Sequence, residues 1–279
     1  MVINAPVDLP SERPVRSGAA GVLGKLGGRR AHGRYRRAGP LRSVDTDRGQ
    51  DVIPVLIAAL PSGPLAANCY VLAPAEGGEC VVVDPGQEAA GQVDKALAEH
   101  RLTPVAVLLT HGHFDHVWSA AEIADARGLP VYLHPEDRGL LTDPTAGVDS
   151  GFAAQLSALL GTGPFSEPED LREAVDESTL TLAGLQIGVQ HTPGHTPGSV
   201  VYTVTTEDGV PVVFAGDLVF AGSIGRTDFP GGDDAAMKRS LADAVLARSD
   251  DTRLMPGHGP GTTVERERAT NPFLRQASA

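Results

Sequence analysis

Cysteine is scarce in this chain. Its 279 residues hold two, Cys69 and Cys80, too few for a disulfide scaffold or an all-cysteine zinc cage. Long apolar runs are missing as well. None approaches the roughly eighteen residues of a membrane helix, so an integral membrane protein is not expected. Positive charge is in deficit, with 23 Lys/Arg against 35 Asp/Glu and a net charge of −12. That balance argues against a general nucleic-acid binder, whose phosphate affinity needs clustered Lys and Arg. What remains is ordinary globular material: 41% hydrophobic and 21% charged residues, enough for one large domain or two small ones.

The charge is unevenly spread. Residues 1–48 carry ten Lys/Arg and four Asp/Glu, leaving 13 positive and 31 negative residues in the rest. The opening segment is rich in Gly and Arg and has no sustained apolar period. It cannot offset its own ordering entropy, so residues 1–50 are read as a disordered basic extension. Without an apolar h-region it is not a secretory signal, and a cytoplasmic location is expected. The Arg excess leaves a transit peptide or an RNA-binding tail open, against which Asp8, Glu12 and the glycines count.

From Asp51 onward the texture changes, and residues 51–279 are read as one domain. Short apolar runs at 52–60, 69–73, 79–84, 105–110 and 131–134 read as strands between Gly, Pro and Asn clusters. Residues 88–101, 117–127 and 151–160 read as helices, and 161–170 as a surface loop. The second half repeats the theme, with strand-like runs from 179 to 217 and the hairpin signal Asp208-Gly209. A helix at 233–247, a buried strand before His258 and a helix at 263–270 close the chain. Strands then helix, twice over, predict two sheets face to face with helices outside each. Four apolar runs end in polar residues: Asp84, Thr110, Asp217 and His258. If those strands run the same way, their ends meet at one edge, where sites are assembled.

The chemistry concentrates in His111-Gly112-His113-Phe114-Asp115-His116, directly after a buried strand. Three imidazoles and a carboxylate within six residues make poor core material but suit borderline divalent cations such as zinc. Two further Gly/Pro loops each hold one histidine, His195 in TPGHTPGS and His258 in MPGHGPG, and Asp217 ends the strand VVFAGD. Singly, each of these is weak evidence. In this order and combination they are strong.

The motifs THGHFDH, TPGHTPGS, FAGD and PGHG resemble the metallo-β-lactamase superfamily over roughly residues 53–275, and most closely its glyoxalase II-like thioester hydrolases. The resemblance implies an α+β fold, the four-layer αββα sandwich. It implies two divalent metal ions, zinc first, with iron or manganese also suited to mixed His/Asp sites. His111, His113 and His195 would hold one ion, Asp115, His116 and His258 the other, with Asp217 bridging. Asp84 would orient a ligand without binding metal. Asp115 would also act in catalysis, orienting the attacking hydroxide, and Arg226 is a candidate substrate contact. The implied activity is hydrolysis of a small thioester by a metal-bound hydroxide. The partner is a small molecule, with no nucleic acid and no membrane. About twenty residues follow His258, fewer than the glutathione-binding helical domain of typical glyoxalase II needs, so the thiol carrier stays open.

The stretch GSIGRTDFPGGD resembles a segment shared with persulfide dioxygenases of the same fold, which hold one iron. That activity, through His113, His195 and Asp217, is the first alternative. A non-catalytic metal-binding protein is the second. The other notable side chains are read as structural: His100 as a solvated helix end, His134 and His191 as framework near the site, Trp118 as packing, and Cys69 and Cys80 as reduced core thiols.

Overall fold

The computed structural model describes residues 2–4, 55–154 and 165–277. The first sheet runs β1 (Val2–Asn4), β2 (Leu56–Ser62), β3 (Ala67–Ala73), β4 (Glu79–Val83), β5 (Thr103–Leu108), β6 (Val131–Leu133) and β7 (Leu171–Glu173) in spatial as well as chain order. β2 to β4 form an antiparallel meander, while β4 to β7 are parallel. The parallel joins require crossovers. Helix α1 (Ala89–His100) provides the first, and the short helices α2 (Phe114–Val117) and α3 (Ala120–Asp125) the second.

The second sheet begins with β8 (Thr179–Leu182), β9 (Leu185–His191), β10 (Val200–Thr205) and β11 (Pro211–Gly216), all antiparallel neighbours. Gly209, at a φ of 79°, makes the turn between β10 and β11, where the sequence placed a hairpin. A small hairpin, β12 (Val219–Phe220) and β13 (Ser223–Ile224), follows. Helix α4 (Asp234–Leu241), lengthened by a π-turn over Ala242–Leu246, then leads to β14 (Arg253–Pro256), which joins β11 in parallel. β15 (Thr262–Thr263), α5 (Val264–Thr270) and α6 (Pro272–Ala277) complete the domain.

Side-chain alternation explains the layering. Every residue of β3 is buried, as expected of a strand covered on both faces. Its Cys69, Val71 and Ala73 meet Val93, Leu97 and Ile123 of α1 and α3 on one face. Its Tyr70 and Leu72 join Leu108 of the first sheet and Ile187, Tyr202 and Phe214 of the second. On the far side of the second sheet, Val213, Ala215 and Leu254 pack on Met237, Leu241 and Leu274. The order helix, sheet, sheet, helix is the αββα sandwich.

Several expectations need revision. Val2–Asn4 pairs with β2 and forms the edge of the sheet, so these three residues depart from the disorder expected of 1–50. The remainder of that extension lies outside the described residues, as does 155–160 of the helix expected at 151–160. His100, expected in solvent, is 7% exposed, with Nδ1 3.2 Å from Glu76 Oε1. The loop carrying Glu76 folds over the helix end, since Gly77 N–H donates to the His100 carbonyl. No helix among the described residues is long and apolar enough to cross a membrane.

Candidate metal centre

Four strand ends meet as their polarity suggested. β4 and β5 are parallel in one sheet, β11 and β14 in the other. The two edges are stitched by backbone bonds, from Val200 N–H to the Thr110 carbonyl and from Asn68 N–H to the Gly257 carbonyl. The loop after β5 delivers His111, His113, Asp115 and His116, the last two on α2. The second sheet delivers His195 after β9, Asp217 after β11 and His258 after β14.

The hydrogen bonds fix which nitrogen of each ring faces the centre. His195 Nδ1–H donates to the Arg226 carbonyl at 2.8 Å, and His258 Nδ1–H to the Leu65 carbonyl at 3.1 Å. His113 is reversed: Nε2–H donates to the Gly147 carbonyl at 3.0 Å, which turns Nδ1 inward. His116 Nδ1–H donates to Asp84 at 3.1 Å. His111 Nδ1 lies 3.1 Å from Thr110 Oγ1, whose own proton goes to Asp84 at 2.6 Å. A carbonyl only accepts, so in the neutral form the inner nitrogen of each carbonyl-bound ring is a bare lone pair.

Those inner atoms converge. His113 Nδ1 stands 2.9 Å from His195 Nε2, and His116 Nε2 stands 3.3 Å from His258 Nε2. Asp217 lies between the sets, with Oδ1 3.5 Å from His116 Nε2 and Oδ2 3.5 Å from His195 Nε2. Asp115 Oδ2 is 3.2 Å from His258 Nε2. His111 Nε2 and Asp217 Oδ1 are buried without a hydrogen-bond partner among the described residues. Buried polar atoms left unpartnered are costly, and two lone pairs facing at 2.9 Å repel. A bound cation answers both problems. The groupings His111/His113/His195 and Asp115/His116/His258 each bring three ligand atoms within reach of one ion. The donors therefore fit two divalent metals.

Protonation follows position. Burial, with the neighbouring His116, His195 and His113 rings, keeps His111 neutral far below its ordinary range. Burial and His195 lower His113 to about 3. At His116 burial also opposes charge, but Asp115, Asp217 and Asp84 outweigh it and raise the ring to about 10. His258 is raised as well, its burial outweighed by the Asp115 hydrogen bond and the Asp217 charge.

Asp84 is 1% exposed and reaches the cluster through hydrogen bonds. It binds Thr110 N–H at 2.7 Å as well as Thr110 Oγ1–H and His116. Asp137 was not singled out in the sequence, yet it is fully buried and ties both histidine loops together. It accepts from Gly112 N–H at 2.8 Å, Thr196 Oγ1–H at 2.6 Å and Gly198 N–H at 2.7 Å. Arg226 borders the centre, but its guanidinium is paired with Asp228 at 2.7 and 2.8 Å and lies over the Phe229 ring. His134 and His191 also approach each other near Glu136. Their rings stack 4.1 Å apart at 8°, so their in-plane lone pairs run side by side instead of converging. Both remain framework, His191 Nε2–H donating to the Pro197 carbonyl.

The family model of the metallo-beta-lactamase superfamily matches residues 62–258, which takes in the whole cluster. The chain belongs to that superfamily. Among its relatives, an uncharacterized protein of Mycobacterium tuberculosis is 45% identical over 227 residues, 80% of this chain and all of the relative. Hydroxyacylglutathione hydrolase GloC of Haemophilus influenzae is 31% identical over 223 residues, 80% of this chain and 99% of GloC. Two solved structures are each 38% identical. The B3 metallo-beta-lactamase BLEG-1 has a TM-score of 0.66, covering 78% of this chain and 99% of its own. TTHA1623, in a di-iron-bound form, has a TM-score of 0.63, covering 77% and 99%.

Proposed function

We propose that this superfamily member hydrolyses small thioesters, S-acylated low-molecular-weight thiols, with two divalent metals held by the seven residues above. The observation that carries the reading is the chemistry around the cluster. Bound divalent ions would supply a Lewis acid and a water ionised near neutral pH. His113, Asp115, His195, Asp217 and His258 line the cavity over the centre, and among the described residues its only other ionisable lining groups are Asp149 and Arg226. Arg226 is held by Asp228, and Asp149 accepts the Phe152 N–H at 2.9 Å. Neither is positioned as a proton donor to a leaving group. A thiolate, with a pKa near about 8.5, leaves without one, whereas an amide nitrogen does not. Asp115, buried and held strongly acidic by His116 and His258 against the pull of burial, is ionised and able to orient the nucleophile. The kinship with GloC points the same way.

The superfamily resemblance admits zinc, iron or manganese; the di-iron relative keeps iron beside zinc as the candidate metals. The dioxygenase alternative needs only His113, His195 and Asp217, and leaves the assembled Asp115/His116/His258 trio without a role.

The test is thiol release from S-acylglutathione and S-acyl-N-acetylcysteamine by metal-reconstituted protein, with oxygen uptake on a persulfide and β-lactam hydrolysis in parallel. Thiol release abolished by chelation is expected. Asp115→Asn, with both metals verified as bound, should lose at least about 10²-fold in kcat with a much smaller change in KM. Wild-type turnover by that variant, or oxygen uptake without hydrolysis, would overturn the reading.

A further inference from the structure

The cavity above the cluster, about 490 Å³, has walls of one character. On the His113 side the Phe229 ring stands edge-on to the imidazole at 6.2 Å, and Phe152 stacks on Phe229 at 6.3 Å and 20°. Phe114 continues that wall, 6.4 Å from Phe152, with Val148 beside it. On the other side Phe220 meets His258 at 6.0 Å, and Leu65 stands 48% exposed at the mouth. Apolar surface thus flanks the inner nitrogens on both sides. Among the described residues, the polar side chains lining the cavity outside the cluster are two: Asp149, whose Oδ1 accepts the Phe152 N–H, and Arg226, whose guanidinium is paired with Asp228.

A hydroxyl on the acyl group, next to the scissile carbonyl, would lose water against these rings, which offer it no hydrogen bond in return. A methylene or phenyl group there gains from the same burial. Resting on the thioesterase reading above, we propose that the acyl group this site selects is apolar, a medium aliphatic chain or an arylacyl group. Phe152 and Phe229 set that preference. The reaction remains a hydrolysis. The C–S bond breaks with its electron pair going to sulfur, a C–O bond forms from water, and the products are a carboxylate, a thiol and a proton.

The test uses the full, metal-reconstituted chain and one neutral thiol, N-acetylcysteamine, carrying acetyl, lactoyl, butyryl, hexanoyl or phenylacetyl groups. Burial predicts a rise in kcat/KM of about threefold to fourfold for each methylene added along the series from acetyl to hexanoyl. Lactoyl should fall well below butyryl. Phe152→Ala should cut the hexanoyl-to-acetyl ratio at least about fivefold, and Phe220→Ala tests the opposite wall should the first variant fold poorly. Lactoyl turnover equal to butyryl, or a ratio unmoved in both variants, would overturn the proposal and leave the thioesterase reading standing. If no thioester is cleaved, that reading fails instead. Calorimetric binding of hexanoate against lactate then decides the pocket: tighter hexanoate supports it, equal affinity refutes it.

Discussion

Asp137 shows how far a single side chain can act without touching the metal donors. Its carboxylate accepts three donors from the loops that carry His113 and His195, and it lies on a 3-10 helix that neither loop adjoins in sequence. Asp137→Asn would place an NH₂ group against at least one of those donors. Buried hydrogen bonds to a charged group contribute about 1.5–3 kcal/mol each. A loss of about 2–4 kcal/mol in the denaturation of metal-free protein is therefore expected, with at least tenfold weaker metal binding; wild-type affinity would refute this role. Titration gives a second expectation. His111 and His113 are held neutral, whereas His116 is raised to about 10. A cation at Asp115/His116/His258 must displace the His116 proton, and that of His258 where the ring is charged, so its affinity should fall at least about tenfold per pH unit as pH drops from 9 to 6.5. Affinity at the other site, where His111 and His113 are held neutral, should fall less steeply over that window. In metal-free protein the raised His116 stabilises the fold below its unfolded pKa near about 6.5, a contribution lost as pH rises toward 10. Calorimetry in buffers of different ionisation enthalpy measures the protons released, and equal slopes for the two ions would contradict the assignment. The seven cluster residues were legible because their types and order are improbable together. Asp137 was not, because its partners are 25, 59 and 61 residues away and nothing local marks a carboxylate that will be buried.

At the scale of elements, the centre depends on backbone packed too tightly for a side chain. A Cβ on Gly257, just after β14, would overlap Asp217 Oδ1 and lie 2.7 Å from His116 Cε1. Gly257 has no positive φ, so alanine there carries no backbone penalty and acts by occupying the donors' space. Gly257→Ala should remain folded, bind fewer than two metals per chain and lose at least about 100-fold in turnover. Gly91→Ala in α1, where a Cβ meets nothing within 4 Å, is the matched control and should be stabilising by about 0.5–1 kcal/mol. Full metal occupancy in Gly257→Ala would show that the site tolerates displacement of Asp217. Alternating apolar runs and their polar ends made the long strands readable, and with them the sheet edge where the site sits. The three-residue β7, the β12–β13 hairpin and α6 were not read. Each is too short to show a period and exists through its neighbours: β7 completes an edge beside β6, and Leu274 of α6 packs under the second sheet.

Across the whole molecule, the proposed metals join two sheets that are already held by a core of their own. Tyr70, Leu72 and Leu108 face Ile187, Tyr202 and Phe214 through the middle of the sandwich, far more apolar burial than the cluster involves. The chain should therefore keep its secondary structure after chelation. Four donors come from the first sheet's β5 loop and three from the second sheet, however, and binding to the folded state alone adds RT ln(1 + [L]/Kd). At free metal about 1,000-fold above Kd that is about 4 kcal/mol. For a domain of this size each kcal/mol moves the midpoint by about 2–4 °C, so the chelated protein should melt about 10 °C below the reloaded one. Thermal scans in the near and far ultraviolet measure both halves of this claim. Coincident melts before and after chelation would show that the seven donors hold no ion that matters to the fold. Loss of far-ultraviolet signal on chelation alone would show instead that the sheets need the metal to form.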